Sequence, residues 1–211
     1  MAKPVRHPLQ ELAGFLPDNT FDDVVAYLQK YSVHLTVTQH RSSVLGDYRN
    51  ALPGQNHRIS VNGNLNKYSF LITLLHELAH LLTYEKYKHK VAPHGREWKS
   101  IYGELLFIFL QKNIFPNDIA KSLQKSLHNP GASTCAEEDL MRVLKKYNET
   151  IDPDIVHVEQ IVLNGYFKTR DGRIFIRGEK RRTRYFCTEV GTNKQYLFSA
   201  LYEVKKTEIS L

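Results

Sequence analysis

Between Tyr68 and Tyr84 the chain is apolar on nearly every side, yet it carries His76, Glu77 and His80 in the middle of the run. Phe70, Leu71, Ile72, Leu74, Leu75, Leu78, Ala79, Leu81 and Leu82 predict a helix buried on all its faces. Enclosing imidazoles and a carboxylate there costs on the order of several kcal/mol unless they are hydrogen-bonded or coordinated. On a helix, residues four apart lie one above the other, so His76 and His80 can grip a single metal ion. Glu77 follows the first of them directly. It can reach a water on that ion without binding the ion itself, as a general base must.

A catalytic zinc site usually takes three protein ligands and leaves the fourth position open. The downstream candidates are His89, His94, Glu97 and Glu104. A metzincin needs Gly and His where this chain has Thr83 and Lys86, which excludes that class. Glu97 or Glu104 would serve as a carboxylate ligand if a second helix turned one of them toward the first. His94 is preferred. It follows Pro93 and opens a new helical run from Arg96 to Leu110, so it can turn back toward the first helix. His89 sits among Lys86, Lys88 and Lys90, which repel a cation.

The run from Thr73 to His80, followed by His94-Gly95-Arg96-Glu97-Trp98-Lys99, resembles the SprT-like metallopeptidase domain, the family that includes the Spartan proteases. The resemblance extends upstream to Leu45-Gly46-Asp47-Tyr48-Arg49 and His57-Arg58-Ile59-Ser60-Val61-Asn62, which look like the short strands before that family's active-site helix, and it covers about residues 20 to 112. It implies His76, His80 and His94 as ligands of a Zn2+ cofactor and Glu77 as the catalytic glutamate. The chain departs from the family at its C-terminus. Many relatives carry a zinc ribbon of two Cys-x-x-Cys pairs there, but Cys135 and Cys187 are the only cysteines. Arg184-Tyr185-Phe186-Cys187-Thr188 resembles a ribbon strand that keeps one of them, so the tail reads as a metal-free replacement.

The expected fold class is α+β: a zincin-like domain with the HExxH helix and a small sheet, then a helix and a C-terminal β-meander or small barrel. Thr20 reads as an N-cap with Asp22 and Asp23 in the first turn of a helix. Alternation at Val33 to Thr38 and around Arg58 to Val61 predicts strands. After the histidine helix, Arg96 to Gln111 and Asn117 to Leu127 read as helices, His128-Asn129-Pro130-Gly131 as a break, and Ala136 to Tyr147 as a further helix capped by Ser133 or Thr134. From about Val158 the pattern turns to four to six short strands punctuated by Asn164-Gly165, Asp171-Gly172 and Gly191-Thr192-Asn193. The expected domains are 1–131, a helical connector 132–157, and a β module 158–211.

The chain carries a net charge of +7. Between Lys168 and Arg184 eight bases stand against two acids, a net +6, so nearly the whole excess sits on the β module. Interleaved with Tyr166, Phe167, Phe175, Tyr185 and Phe186, this stretch suits a nucleic-acid backbone with bases stacked on exposed rings; Arg177, Lys180, Arg181, Arg182 and Arg184 are the expected contacts. The alternative is a solvated hairpin whose rings all face its own core. The resemblance favours nucleic acid, because Spartan-type proteases act on proteins crosslinked to DNA.

The expected function is zinc-dependent peptide hydrolysis, with a protein substrate, DNA as a partner of the basic module, and no membrane partner. Arg96, Tyr48, Tyr84 and Tyr102 are candidate donors to the oxyanion. His7, His34, His40, His57, His128 and His157 have no ligand spacing and read as ordinary histidines. Two other classes compete: a nucleic-acid-binding adaptor with a structural or vestigial zinc site, and a zinc hydrolase of non-peptide substrates. Glu77 speaks against the first, since a structural site needs no carboxylate beside its ligand. The cleft decides the second, because an open groove with a free strand edge suits a polypeptide. No apolar run of about twenty residues occurs, and prolines break the opening residues Met1 to Pro8. A soluble, cytoplasmic protein is expected, consistent with two unpaired cysteines.

Overall fold

The computed structural model describes residues 9–41, 44–127, 138–148 and 152–207. They divide into two units, Met1–Asn148 and Glu149–Leu211, and the architecture is α+β with two sheets. The first unit contains a short 3-10 helix (Gln10–Phe15), α1 (Phe21–Lys30), β1 (Val33–Thr38), β2 (Gly46–Arg49), β3 (His57–Asn62), α2 (Lys67–Tyr87), α3 (Arg96–Leu110), α4 (Asn117–Ser126) and α5 (Glu138–Lys145).

The apolar run forms the middle of α2, and Phe70, Leu71, Ile72, Leu74, Leu75, Leu78, Ala79 and Leu81 are fully buried. A helix enclosed on all sides needs partners on all sides. The sheet supplies Ile59 and Val61, α1 supplies Val24 and Leu28, and α3 supplies Trp98, Leu105, Leu106 and Phe109. Asn66 caps the helix by accepting from the Ser69 amide at 3.0 Å. The same side chain donates to the Leu144 carbonyl at 2.9 Å and to Asn148 Oδ1 at 2.8 Å, which ties the start of α2 to the end of α5.

The sheet runs in the order β1-β3-β2. β1 is parallel to β3, with Val33 opposite His57, whereas β2 is antiparallel to β3, with Tyr48 opposite Ile59. β2 is therefore an edge strand, and no other strand among the described residues pairs with its outer side. Asn62, fully buried, donates to the carbonyls of Arg41 and Val44 and accepts from Arg41 Nε at 2.8 Å, so it holds the chain that leads into β2.

Several local expectations differ from the structure. Thr20 sits at the start of α1, but its hydroxyl donates back to the Pro17 carbonyl at 2.7 Å and makes no cap bond. Leu140 and Leu144 of α5 pack into the first core, while β4 (Ile155–His157) already belongs to the second sheet, so the stretch 132–157 divides between the two units. The break at 128–131, the proposed caps Ser133 and Thr134, and Cys135 lie outside the described residues.

The second unit comprises β4, a 3-10 turn (Val158–Gln160), β5 (Tyr166–Lys168), β6 (Ile174–Arg181), β7 (Arg184–Glu189), β8 (Gln195–Ser199) and β9 (Glu203–Lys206). The order is β4-β9-β5-β6-β7-β8. β5 to β8 form the meander, and β9 returns to pair with both β4 and β5. Among the described residues the ladder ends on β4 and β8, an open six-stranded sheet. Its core is Val158, Ile161, Phe167, Phe175, Tyr185, Cys187, Ala200 and Val204. Burial of Cys187 pushes its thiol up to about 11. No helix among the described residues is long and apolar enough to cross a membrane.

Candidate metal centre

His76 and His80 lie one turn apart on α2, and His94, in the turn before α3, closes on them. The three Nε2 atoms are separated by 3.3 Å (His76 to His80), 3.2 Å (His76 to His94) and 3.0 Å (His80 to His94). The His94 backbone has φ +56°, a left-handed conformation that non-glycine residues seldom adopt and that recurs at functional sites. Gly95 then caps α3. His89 is exposed beside Tyr84, and Glu104 is exposed and accepts from Ser100, so neither joins the cluster. Glu97 is also outside it.

Burial lowers the His76 pKa to about 3, with His80 and His94 adding to the effect. Burial and then His94 lower His80 to about 4, and His94 is lowered by burial and by Lys99. All three imidazoles are thus neutral near pH 7, the form that binds a metal. Tetrahedral zinc with Zn–N bonds near 2.0–2.1 Å would set its nitrogens about 3.3–3.4 Å apart. The donor set fits such an ion in both chemistry and spacing.

Trp98 is the shared neighbour of the three rings. Its ring lies 4.7 Å from His76, 5.2 Å from His80 and 4.7 Å from His94, and it is almost wholly buried. Such an apolar wall fixes ring orientation and limits solvent access to a metal site. From the sequence it was visible only as the aromatic that follows His94.

Glu77 is buried beside the cluster, against the first residue of β2. A Cβ on Gly46 would fall 2.6 Å from Glu77 Oε1 and 2.8 Å from Thr73 Cγ2, so only glycine lets the strand approach this closely. Burial pushes the Glu77 carboxyl up to about 8, Asp47 adding to the shift and Arg41 opposing it.

Tyr48, two residues along β2, has its ring parallel to His80, 6.4 Å away with an interplanar angle of 4°. Its hydroxyl lies 3.0 Å from Nδ1 of His57. Burial raises its pKa well above the ordinary tyrosine value, with Glu85 and Tyr84 adding. His57 also receives the Ala51 amide on Nδ1 at 3.1 Å and places Nε2 3.4 Å from Glu85 Oε1. His57, read from the sequence as an ordinary histidine, lies outside the ligand cluster and reaches it only through Tyr48. Nothing in its spacing signals this, because the contact depends on the β2–β3 register.

An open groove of about 790 Å³ leads away from His94, lined by Arg96, Lys99, Gly103, Phe107 and Leu127 among others. Tyr102 is almost wholly buried against His76 and Trp98, and the Tyr84 ring carries Lys88 at 4.7 Å.

In the second unit the register assigns the basic residues to faces. Arg177 lies opposite buried Cys187, with its guanidinium 4.4 Å from the Tyr185 ring and its Nε enclosed. It is turned toward the core side; Lys180, opposite Tyr185 with its Nζ 5.6 Å from that ring, is exposed, as are Arg181, Arg182 and Arg184 on the β6–β7 hairpin. Phe167, Phe175 and Tyr185 are core residues. Tyr166 and Phe186 alternate to the opposite face and are half-buried, with Arg181 5.7 Å from the Phe186 ring.

The SprT-like family model matches residues 12–114, a span that holds α2, the His94 turn and α3. No curated protein and no solved structure matches the chain.

Proposed function

This chain is a SprT-like domain protein, and we propose that it is a zinc-dependent metallopeptidase in which His76, His80 and His94 hold the ion and Glu77 is the general base. The observation that carries the reading is the passage of edge strand β2 along Glu77, at the contact that only Gly46 permits. An extended polypeptide can add to the outer side of β2 through main-chain hydrogen bonds and so cross the site beside the carboxylate.

A zinc ion bound by three neutral imidazoles lowers the pKa of water and polarises a carbonyl. Glu77 Oε would accept the proton of the attacking water and return it to the leaving amine, a role its place beside the three histidines suits. Trp98 fixes the ligand rings and keeps bulk water from their buried side. The zincin-like assignment rests on the HELAH helix, the third histidine and the edge strand taken together.

The favoured substrates are proteins associated with or crosslinked to DNA. Support comes from the exposed Lys180, Arg181, Arg182 and Arg184 on one hairpin, with Tyr166 and Phe186 on the face away from the core. Their electrostatic attraction to phosphates and ring stacking suit single-stranded nucleic acid. Glu77-dependent cleavage of an unfolded polypeptide by the zinc-loaded protein tests the reading.

A further inference from the structure

Tyr48 and Ala51 both hydrogen-bond to His57, whose far nitrogen faces Glu85, and one of these groups has less than a full partner. The Ala51 amide can only donate, so Nδ1 of His57, 3.1 Å away, carries no proton. The ring proton is then on Nε2, which faces Glu85 Oε1 at 3.4 Å. An imidazole nitrogen in this form offers a single lone pair. The Tyr48 hydroxyl, 3.0 Å from the same Nδ1, must share that lone pair with the amide. It can therefore turn to another acceptor without orphaning any group, because Ala51 keeps Nδ1.

The ring that carries this hydroxyl is fixed at the candidate centre. It lies parallel to His80, 6.4 Å away, and at 21° to His57, 5.9 Å away. Tyr48 shares the α2-facing side of β2 with Gly46, so the strand that brings its backbone against Glu77 also brings this phenol to the metal ligands. The other three donors considered are placed differently. Tyr102 is enclosed by Trp98 and His76, Tyr84 is engaged with Lys88 and the edge of His57, and Arg96 is exposed at the mouth of the groove.

We infer that Tyr48 is a catalytic residue whose hydroxyl turns from His57 to the scissile carbonyl oxygen as that oxygen gains negative charge, and that His57, locked by Ala51 and Glu85, is the positioning residue that holds it ready. The inference rests on the metallopeptidase reading. It requires no covalent step: the hydroxyl exchanges one hydrogen-bond acceptor for another and keeps its proton.

The test compares wild type, Tyr48→Phe, His57→Gln and Glu77→Gln, each loaded with zinc, on an unfolded protein substrate. Phenylalanine keeps the ring stack on His80, so the zinc content and melting temperature of Tyr48→Phe should match wild type. Its kcat should fall about 100-fold or more with KM unchanged, the scale of a lost oxyanion donor. Glutamine at 57 keeps an acceptor for Ala51, and kcat should fall about 10-fold at unchanged KM, as for a supporting residue. Tyr48→Phe with more than half the wild-type kcat, alongside an inactive Glu77→Gln, overturns the inference and leaves the metallopeptidase reading standing. A fall in zinc content or melting temperature that accounts for the lost activity makes Tyr48 structural and also overturns it. Wild type with no Glu77-dependent cleavage overturns both.

Discussion

The Cβ that Gly46 lacks would lie 2.6 Å from Oε1 of Glu77. One residue on an edge strand thus sets how close the strand can come to the proposed base on a buried helix. The helix explains why the carboxylate is in the interior, and the glycine explains why there is room beside it for a strand.

Gly46→Ala should therefore displace Glu77 or push β2 outward. The expected cost is about 1–3 kcal/mol of stability, typical of overpacking, with a loss of cleavage at unchanged zinc content. Melting curves, metal analysis and cleavage assays read the three quantities. Full activity would show that Glu77 need not sit against this strand.

Zinc affinity separates the candidate third ligands. His94→Ala should weaken it far more than His89→Ala, because His94 Nε2 is 3.0–3.2 Å from the other two ligand nitrogens and His89 lies outside the cluster. Competition against a chelator measures both variants. The reverse order would overturn the ligand set.

Reversing Arg181, Arg182 and Arg184 to glutamate should weaken single-stranded DNA binding and lower its salt dependence by about two units of slope, from three lost phosphate contacts. Zinc content should not change, since these residues belong to the second unit. Anisotropy titrations at several salt concentrations provide the measurement. Unchanged affinity would remove the hairpin from the nucleic-acid interface, and DNA-stimulated cleavage that persists would separate it from any role in activity.

The candidate site was legible in the sequence where it depends on local period. His76, Glu77 and His80 follow from helical spacing within an apolar run, and His94 from its place before α3. Tyr48, His57 and Gly46 were not legible as a unit, because their meeting depends on β2 pairing antiparallel to β3 with Tyr48 opposite Ile59. The same limit applied to the basic module. Composition marked its charge, but only the register, with its irregularity between Arg177 and Lys180, places Arg177 on the core side. The open sheet was also beyond local pattern, since β9 returns to pair with β4 and β5 across long stretches of chain. Thr20 had the residue type of a cap, but the Pro17 carbonyl takes its hydroxyl.

The most direct measurement is cleavage of an unfolded DNA-binding protein by wild type and Glu77→Gln, both shown by elemental analysis to carry zinc, with and without single-stranded DNA. Wild type should cleave, and Glu77→Gln should bind zinc, melt like wild type and lose activity by at least about 100-fold, the lower bound for removing a general base. Cleavage by Glu77→Gln at the wild-type rate, or zinc-loaded wild type that cleaves under neither condition, would contradict the assignment of this site as a metallopeptidase centre.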